Sequence, residues 1–478
     1  MNIQRTRRAF KTYNDFSGGM QEFTSPLTTA YNESPFVSNV DVRKPGILSK
    51  ALGYSEAGSG TASGVGKGIG VFDQENGTHT LVKLHNQTLS QWTGSSWSGV
   101  VSGFNSNYTD KAEFINAFLD SDERIYITTG FNDVVTFWDG SASGTVSGIY
   151  AKHGTYFNDQ LYLGNVKYSG TEYPYRTIFS TELTDIFNTA TNFFDNIGEP
   201  ITAMTTYAGN VCYFTENKLA LYDGYSLTQV PGLYGTTSSR SVQVSEGRLL
   251  WYNRGGIFMY GGADKPVLIS RKIQGVIDAI TSPTAVVGGL DKYGRYLLYI
   301  GDVTYNGSSY SDVCLRYDVN LNSFDFLPNR PFGDFALVKN GGTFITYAQD
   351  VDNDKVWQVD GSQGLNGSTM ASEWQTAKLD SDLPDRIKNH YNIYVSFKPQ
   401  NVSEYLTVKY RLDGDSSWSQ IGGTNNNIDL SGTDLIKTQK IELPANTQGK
   451  YIQLQFTHSS TTGTFDIYEI KLEFDVLN

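Results

Sequence analysis

Hydrophobic and polar positions along this chain change places every one or two residues, in short runs that stop at glycine, asparagine or aspartate. The stretch NKLALYDG (217–224) shows the habit: a few apolar and aromatic residues, then Asp-Gly. Strict alternation over four to eight residues is the pattern of a half-covered β-strand. A short aromatic and β-branched run between turn formers is that of a strand covered on both faces. Helical spacing is scarce. Only LTDIFNTATNFFDNI (183–197) and ISRKIQGVIDAI (269–280) place apolar residues at helical intervals, and both are predicted as short helices.

The ending of NKLALYDG keeps returning. Trp92-Thr-Gly94, Trp138-Asp-Gly140, Tyr222-Asp-Gly224, Tyr260-Gly-Gly262, Tyr317-Asp318 and Val359-Asp-Gly361 are variants of it. Aligned on these endings, the chain contains a repeated unit of strand, turn and strand at 79–94, 124–140, 210–224, 248–262, 295–319 and 343–361, with a degenerate copy at 160–181. Starts of neighbouring units lie roughly 36 to 50 residues apart, the period at which four-stranded blades build a β-propeller. A lone hairpin cannot bury both its faces, whereas blades stacked around an axis cover one another. The predicted fold is all-β, with a propeller of about seven blades. Six or eight also fit, because the first blade starts weakly near GKGIGVFD and a strand from elsewhere in the chain could close the ring.

Two regions leave the period. Residues 1–60 are dense in turn formers and read as an extended N-terminal docking arm that packs on something else; residues 61–370 are assigned to the propeller. From 371 to 478 the runs lengthen and alternate: HYNIYVSF (390–397), YLTVKYRLDG (405–414), KTQKIELP (437–444), YIQLQFTHSS (451–460) and FDIYEIKLEFDVL (465–477) predict a C-terminal antiparallel β-sandwich.

Composition agrees. Glycine (49), tyrosine (31) and phenylalanine (26) outweigh the charged residues that helices favour. A net charge of -12 argues against a general nucleic-acid surface, since phosphate affinity comes from Lys and Arg. Cys212 and Cys314 are too few for a disulfide framework and read as buried thiols. No run approaches the roughly 18 apolar residues that span a bilayer, and no signal-peptide core follows the basic start, so the expectation is a soluble protein outside the secretory route without stable membrane insertion.

Candidate chemistry is thin, and no catalytic residue, cofactor or metal site is assigned. Propellers can house glycosidases, which need two neighbouring carboxylates. Yet the S-x-D-x-G-x-T-W box of sialidase blades is absent, and Asp139, Asp223, Asp318 and Asp360 recur at equivalent places in the units, as turn-capping residues do. Asp350, Asp352 and Asp354 open like a calcium loop, but Lys355 and Gly361 stand where that loop needs Gly and Glu, so a polar hairpin tip is the expectation. SGVGKGIG (63–70) lacks phosphate-loop spacing and reads as a loose lead-in to the first blade. The five histidines (His79, His85, His153, His390 and His458) show no metal-binding spacing. The seven tryptophans fall mostly on predicted strands, where packing explains them. One charge asymmetry stands out: Arg5, Arg7, Arg8 and Lys11, read as part of the docking arm.

The N-terminal pattern Phe16, Gly18 and Gly19, then Ser25-Pro26, Glu33-Ser34-Pro35, Asn39, a Pro45-Gly46-x-Leu48 turn and Gly53-Tyr54, resembles the opening of β-propeller tail proteins of tailed bacteriophages, including the tail tubular B or nozzle proteins of short-tailed phages. PITAMTTYAGNVCYFTENKLALYDG (200–224) and IFMYGGADKPVLISRKIQGVIDAI (257–280) resemble two further segments of that family, in the same order. The chain is shorter than the best-known nozzle proteins. The resemblance implies a non-enzymatic virion protein, assembled in the host cytoplasm into a homo-oligomeric ring, commonly of six copies, at the tail or head–tail junction. Its implied partners are head–tail adaptor or portal-proximal proteins, tail fibres or other tail proteins, and genomic DNA that passes through a channel without sequence-specific binding. Arg5, Arg7, Arg8, Lys11, Phe16, Gly18 and Gly19 are then the expected subunit-docking residues. The runner-up expectation is a receptor-binding or glycan-binding tail protein that uses the sandwich as a lectin-like module; an enzyme acting on cell-surface glycans comes third.

Overall fold

The computed structural model describes residues 8–22, 28–44, 46–58, 64–105, 111–195, 198–262, 265–421 and 427–477. Seven four-stranded antiparallel sheets follow one another at 66–102, 113–145, 149–195, 203–230, 243–268, 287–327 and 332–359, the last completed by Tyr54–Glu56 from the arm. First strands of neighbouring blades adjoin around an axis, with the connector before blade 5 standing between blades 4 and 5, and Phe332–Asn340 of blade 7 meets Gly66–Asp73 of blade 1 to close the circle. The protein is an all-β, seven-bladed propeller carrying a β-sandwich. GKGIG, read as a loose lead-in, is instead the start of the first strand of blade 1.

Each repeated unit coincides with the second and third strands of one blade. These strands are covered on both faces by neighbouring blades, and consecutive residues are buried, as at Val211–Phe214 within Asn210–Phe214 and Leu249–Tyr252 within Arg248–Asn253. Several fourth strands are short and half exposed, as Ser143–Thr145 and Leu227–Val230 show, and so lack a signal, whereas Ser323–Leu327 of blade 6 is buried throughout against the arm. The Asp-Gly endings are the turns into those fourth strands. Asp223 Oδ1 accepts hydrogen bonds from the backbone N–H groups of Tyr225 (2.8 Å) and Ser226 (2.7 Å). Asp139 does the same for Ser141 and Ala142, and Asp318 for Asn320 and Leu321. Gly140 and Gly224 follow at φ of +95° and +101°, where a side chain is disfavoured. Asp360 departs from its expected equivalence. Blade 7 takes its fourth strand from the arm, so the chain at Asp360 leaves for the sandwich and caps no such turn.

The sandwich has two six-stranded sheets. One orders Lys437–Gly449, Lys388–Phe397, Asp466–Val476, Leu48–Lys50 and Val40–Asp41, with Ala9–Tyr13 also paired to Asp466–Val476. The other orders Ser419–Gln420, Tyr405–Leu412, Ile452–Ser460, Met370–Gln375 and Val37–Ser38, with Asn427–Asp429 paired to Tyr405–Leu412. All five long strands read from the sequence are present. The stretch 1–60 is shared out: Gly19–Met20 and Glu33–Ser34 pair with each other, the other described strands serve both sandwich sheets, and Tyr54–Glu56 serves the propeller. One apolar core runs unbroken from blades 5 and 6 through Phe16, Met20, Phe36, Val37 and Val40 into the sandwich.

The helical reading of 269–280 holds, as a 3₁₀ turn followed by Gln274–Asp278. That of 183–197 does not. Thr184 and Asn188 bond nearby backbone, the Asn188 carbonyl accepts from Thr191 and Asn192, and Phe193–Asp195 is drawn off as the fourth strand of blade 3. Cys212 and Cys314 are buried thiols, pushed up to about 12 by desolvation and so unreactive.

Buried charge locks the arm to blade 6. Arg316 bonds Asp325 at 2.6 Å and the Val40 carbonyl at 3.1 Å. Arg295 bonds Asp291 at 2.7 Å and forks onto Asp41 at 3.0 and 3.3 Å. Burial opposes ionisation of Asp41, but the Arg316 and Arg295 guanidiniums outweigh it and hold its carboxyl well below the usual range. Farther along the arm the backbones touch: a Cβ on Gly53 would stand 1.7 Å from the Gly364 carbonyl oxygen.

Two substitutions test the lock by urea denaturation. Arg316→Met leaves Asp325 and Asp41 short of a buried partner and should cost about 3–5 kcal/mol. Gly53→Ala should cost about 2–3 kcal/mol by forcing two backbones apart. A loss below about 1 kcal/mol in both would show that the arm is loosely held.

Candidate functional sites at the arm junction and the propeller axis

Of the arm residues expected to dock subunits, Arg8, Lys11, Phe16, Gly18 and Gly19 are described, and each makes contacts within its own chain. Phe16 is fully buried, edge-on to Trp374 of the sandwich at 5.3 Å. Gly18 has Glu33 Cγ and the Asn32 carbonyl 2.5 and 2.8 Å from where a Cβ would be. Gly19, at φ +66°, lies against Ser323 and Phe324 of blade 6, with no room for a side chain. These three are packed within their own chain. Arg8 extends over the Tyr391 ring and bonds Glu473 at 2.7 Å, and Lys11 pairs with Asp382, so both spend their charge on the sandwich. Arg5, Arg7, Ser25, Pro26 and Pro45 lie outside the described residues.

Other family-like residues continue the pattern. Ser34 Oγ bonds the Phe36 and Gln375 carbonyls, each at 2.6 Å. Asn39, at φ +50°, donates from Nδ2 to the Ala371 carbonyl, and Tyr54 packs against Phe332 and Trp357 with ring centres 5.5 and 5.0 Å away.

The remaining sequence candidates fall to structural uses. Asp350 Oδ1 accepts from the N–H groups of Asp352 and Asn353 while Oδ2 takes the Trp357 indole N–H at 2.9 Å, which makes 350–355 a capped hairpin tip. His79 faces Asp73 at 2.6 Å and His153 faces Glu113 at 2.9 Å. Trp138, Trp251, Trp357 and Trp374 are core residues, and Trp92 packs on Trp97. Among the described residues no three His, Cys, Asp or Glu side chains converge as a metal site.

A feature that the sequence did not reveal is a cavity of about 960 Å³ at the propeller axis, lined by parts of blades 2 to 7 and the connectors between them. Arg240, from the connector before blade 5, reaches across to Asp334 on the first strand of blade 7 and to the Gly333 carbonyl. Asp334 also accepts the Ile69 N–H of blade 1 at 2.8 Å, so one carboxylate pins three parts of the ring. Lys111 donates to the Gly66 carbonyl at 2.6 Å. On the blade 6 side, Asp302 accepts the Asp312 N–H at 2.9 Å and Asp312 accepts the Tyr299 hydroxyl at 3.0 Å. Burial, reinforced by the Asp302 and Asp352 carboxylates, raises Asp312. Burial, with Arg240 and Lys67 nearby, lowers Lys111 to about 7. The lining holds acids and bases together and can hydrogen-bond a small polar molecule. Short pieces of separate connectors and blades build it, among them 200–202, 237–240 and 281–287, so no single linear motif marks it.

Ring, closing strand and fused sandwich define the class: a seven-bladed β-propeller joined through its N-terminal segment to an antiparallel β-sandwich. No family model matches the chain, and no curated protein matches it in sequence. Among similar solved structures are the extracellular domain of a hybrid two-component system from B. thetaiotaomicron, at 9% identity and TM-score 0.45 with 90% of this chain and 61% of that one covered, and the WD40 propeller domain of Doa1, at 9% and 0.39 with 64% and 97% covered. An exo-β-1,3-galactanase from Phanerochaete chrysosporium, solved with galactose, has 11% identity and TM-score 0.29, with 88% and 99% covered. The chain thus spans about 61% of the length of the first of these. At such identities the likeness concerns architecture, and no activity passes from those proteins to this one.

Lys111 gives the axis a pH signature. Its amine titrates near 10.5 when unfolded and near 7 when folded, so between those values the unfolded chain binds more protons and stability rises with pH. Lys111→Met removes the term. Its stability advantage over wild type should shrink by about 2 kcal/mol from pH 7 to pH 10 in urea titrations, less than the full shift because the amine keeps some contact with water. A pH-independent difference would contradict the buried placement.

Proposed function

We propose that this protein is a structural component of a bacteriophage virion: a tail, nozzle or head–tail junction protein that assembles into a ring, most simply of six copies, forms part of the DNA-ejection channel and presents a platform to neighbouring tail proteins or fibres. The observation that supports it most is where the family-like residues fall. Phe16, Gly19, Ser34, Asn39, Gly53 and Tyr54 occupy points where the arm meets propeller or sandwich or closes blade 7, and Gly18 shapes the arm itself, so the resemblance runs through the parts that make this architecture. A chain stiffened in this way suits a part that must hold its shape under load.

In this reading DNA does not pass along the propeller axis, because Arg240 and Asp334 bridge it. The channel lies between copies, and a net charge of -12 favours a wall along which phosphate slides. Tyr225 and Leu233 at the outer edge of blade 4, and Leu435 at the end of the sandwich, are left 96%, 75% and 90% exposed and offer apolar contacts to neighbours.

Mass photometry and negative-stain imaging of the purified protein, with antibody labelling of intact virions, test the reading. Rings of about six copies around a hole, and label at the tail or head–tail junction, are expected. A protein that stays monomeric at all concentrations and leaves virions unlabelled would sink it.

A further inference from the structure

Between blade 6 and the second sheet of the sandwich lies a cleft of about 570 Å³. The arm forms its base at Phe36, Ser38 and Asn39, the blade contributes 309–311 and 328–329, and the sandwich contributes Met370–Gln375, Tyr405–Leu412 and Ile452–Ser460. Its chemistry differs from that of the axial cavity. Nine of its sixteen lining residues carry a hydroxyl, two more are asparagines, and none is lysine or arginine. Glu373 is its one carboxylate. Glu373 Oε1 accepts from Gln375 Nε2 at 2.7 Å and from Gln455 Nε2 at 2.6 Å, which holds the carboxylate in one orientation. Tyr405 is 52% exposed, and half-buried Tyr310 leans on Phe36 and Phe326 with ring centres 6.0 and 5.0 Å away.

A second observation is independent of that lining chemistry. Asn39 and Ser372 are each at least nine-tenths buried in the cleft wall, and Asn39 Oδ1 and Ser372 Oγ have no hydrogen-bond partner, while buried His458 beside them turns Nε2 to Glu404 at 3.4 Å. Burial and the Lys50 ammonium outweigh the Glu404 carboxylate and pull His458 down to about 4, so its ring is neutral and brings no charge to the cleft. Unpartnered buried polar groups are rare in folded proteins, and here two residues of one cleft, Asn39 and Ser372, carry them. A hydroxyl both donates and accepts and can satisfy such a mixed set, whereas an anion only accepts.

We propose that this junction cleft binds a short neutral saccharide, with the apolar face of a sugar ring against Tyr405 and Tyr310 and its hydroxyls on Glu373, Thr407, Thr457 and the asparagines. A phosphorylated or carboxylated ligand is disfavoured, since the lining brings no cation to meet it. The pairing of aromatic surface with a few fixed polar groups is the general form of a small-ligand site, and placement across two modules is a common position for one. The site stands apart from the ring assembly: either can fail without the other.

The test uses the full-length protein with maltotriose, cellotriose, mannotriose, galactotriose and tri-N-acetylchitotriose as neutral probes and glucuronate as the charged one, read by saturation-transfer NMR and calorimetry. At least one neutral probe should bind at millimolar concentration or tighter. Glu373→Gln and Tyr405→Ala should each weaken it about tenfold. Ala371→Trp, at an exposed position on the rim, should abolish it by filling the cleft. The urea midpoint of each variant identifies any loss caused by unfolding, and Tyr405→Phe, which keeps the ring, should retain most of the affinity. Failure of every neutral probe, tighter binding of glucuronate, or binding that survives both Glu373→Gln and Ala371→Trp would overturn the proposal.

Discussion

Three backbone pairings hold this molecule's parts in register: Tyr54 with Val359, Ser55 with Gln358 and Glu56 with Trp357. They supply the fourth strand of the last blade from the start of the chain and remove the open edge that a ring of consecutive blades would leave. The same arm has by then given Val37–Ser38 to one sandwich sheet and Val40–Asp41 and Leu48–Lys50 to the other. Ring closure and sandwich assembly therefore share one length of backbone. The Arg316, Arg295 and Asp41 cluster fixes that backbone against blade 6 with charge-assisted bonds that keep their strength only while dry. Pairing residue 54 with 359 also carries a kinetic consequence, because contacts so distant in sequence form late and slowly.

Much of this was legible in the sequence, for a physical reason. Second and third strands of a blade are covered on both faces, so they must be continuous apolar and aromatic runs, and the turn between third and fourth strands needs Asp and Gly in fixed places; seven units followed. The borrowed closing strand was anticipated as a way to complete the ring, but its source was not, because two- and three-residue strands such as Val37–Ser38 are too short to show a period. Helical spacing misled at 183–197, where Thr and Asn side chains capture backbone groups before a helix can. Asp360 looked like its counterparts in composition but not in connectivity.

The candidate sites were less legible, because propeller chemistry is assembled across blades. Arg240 meets Asp334 from the far side of the axis, and Glu373 meets Tyr310 across two modules, so no linear motif marks either place. The basic arm gave a visible signal with a different meaning. Arg8 pairs with Glu473 and Lys11 with Asp382 within the chain. Function in this reading belongs to what the closed shape presents.

That propeller and sandwich form one cooperative unit through the shared arm is the central claim. Hydrogen exchange read by mass spectrometry across a series of sub-denaturing urea concentrations tests it most directly. Peptides covering Val356–Val359 of blade 7, Lys388–Phe397 of the sandwich and Tyr54–Glu56 of the arm should open together, with the same free energy and the same urea dependence. Sandwich peptides that open in a separate, lower-energy step while blade 7 and its borrowed strand stay protected would contradict the account.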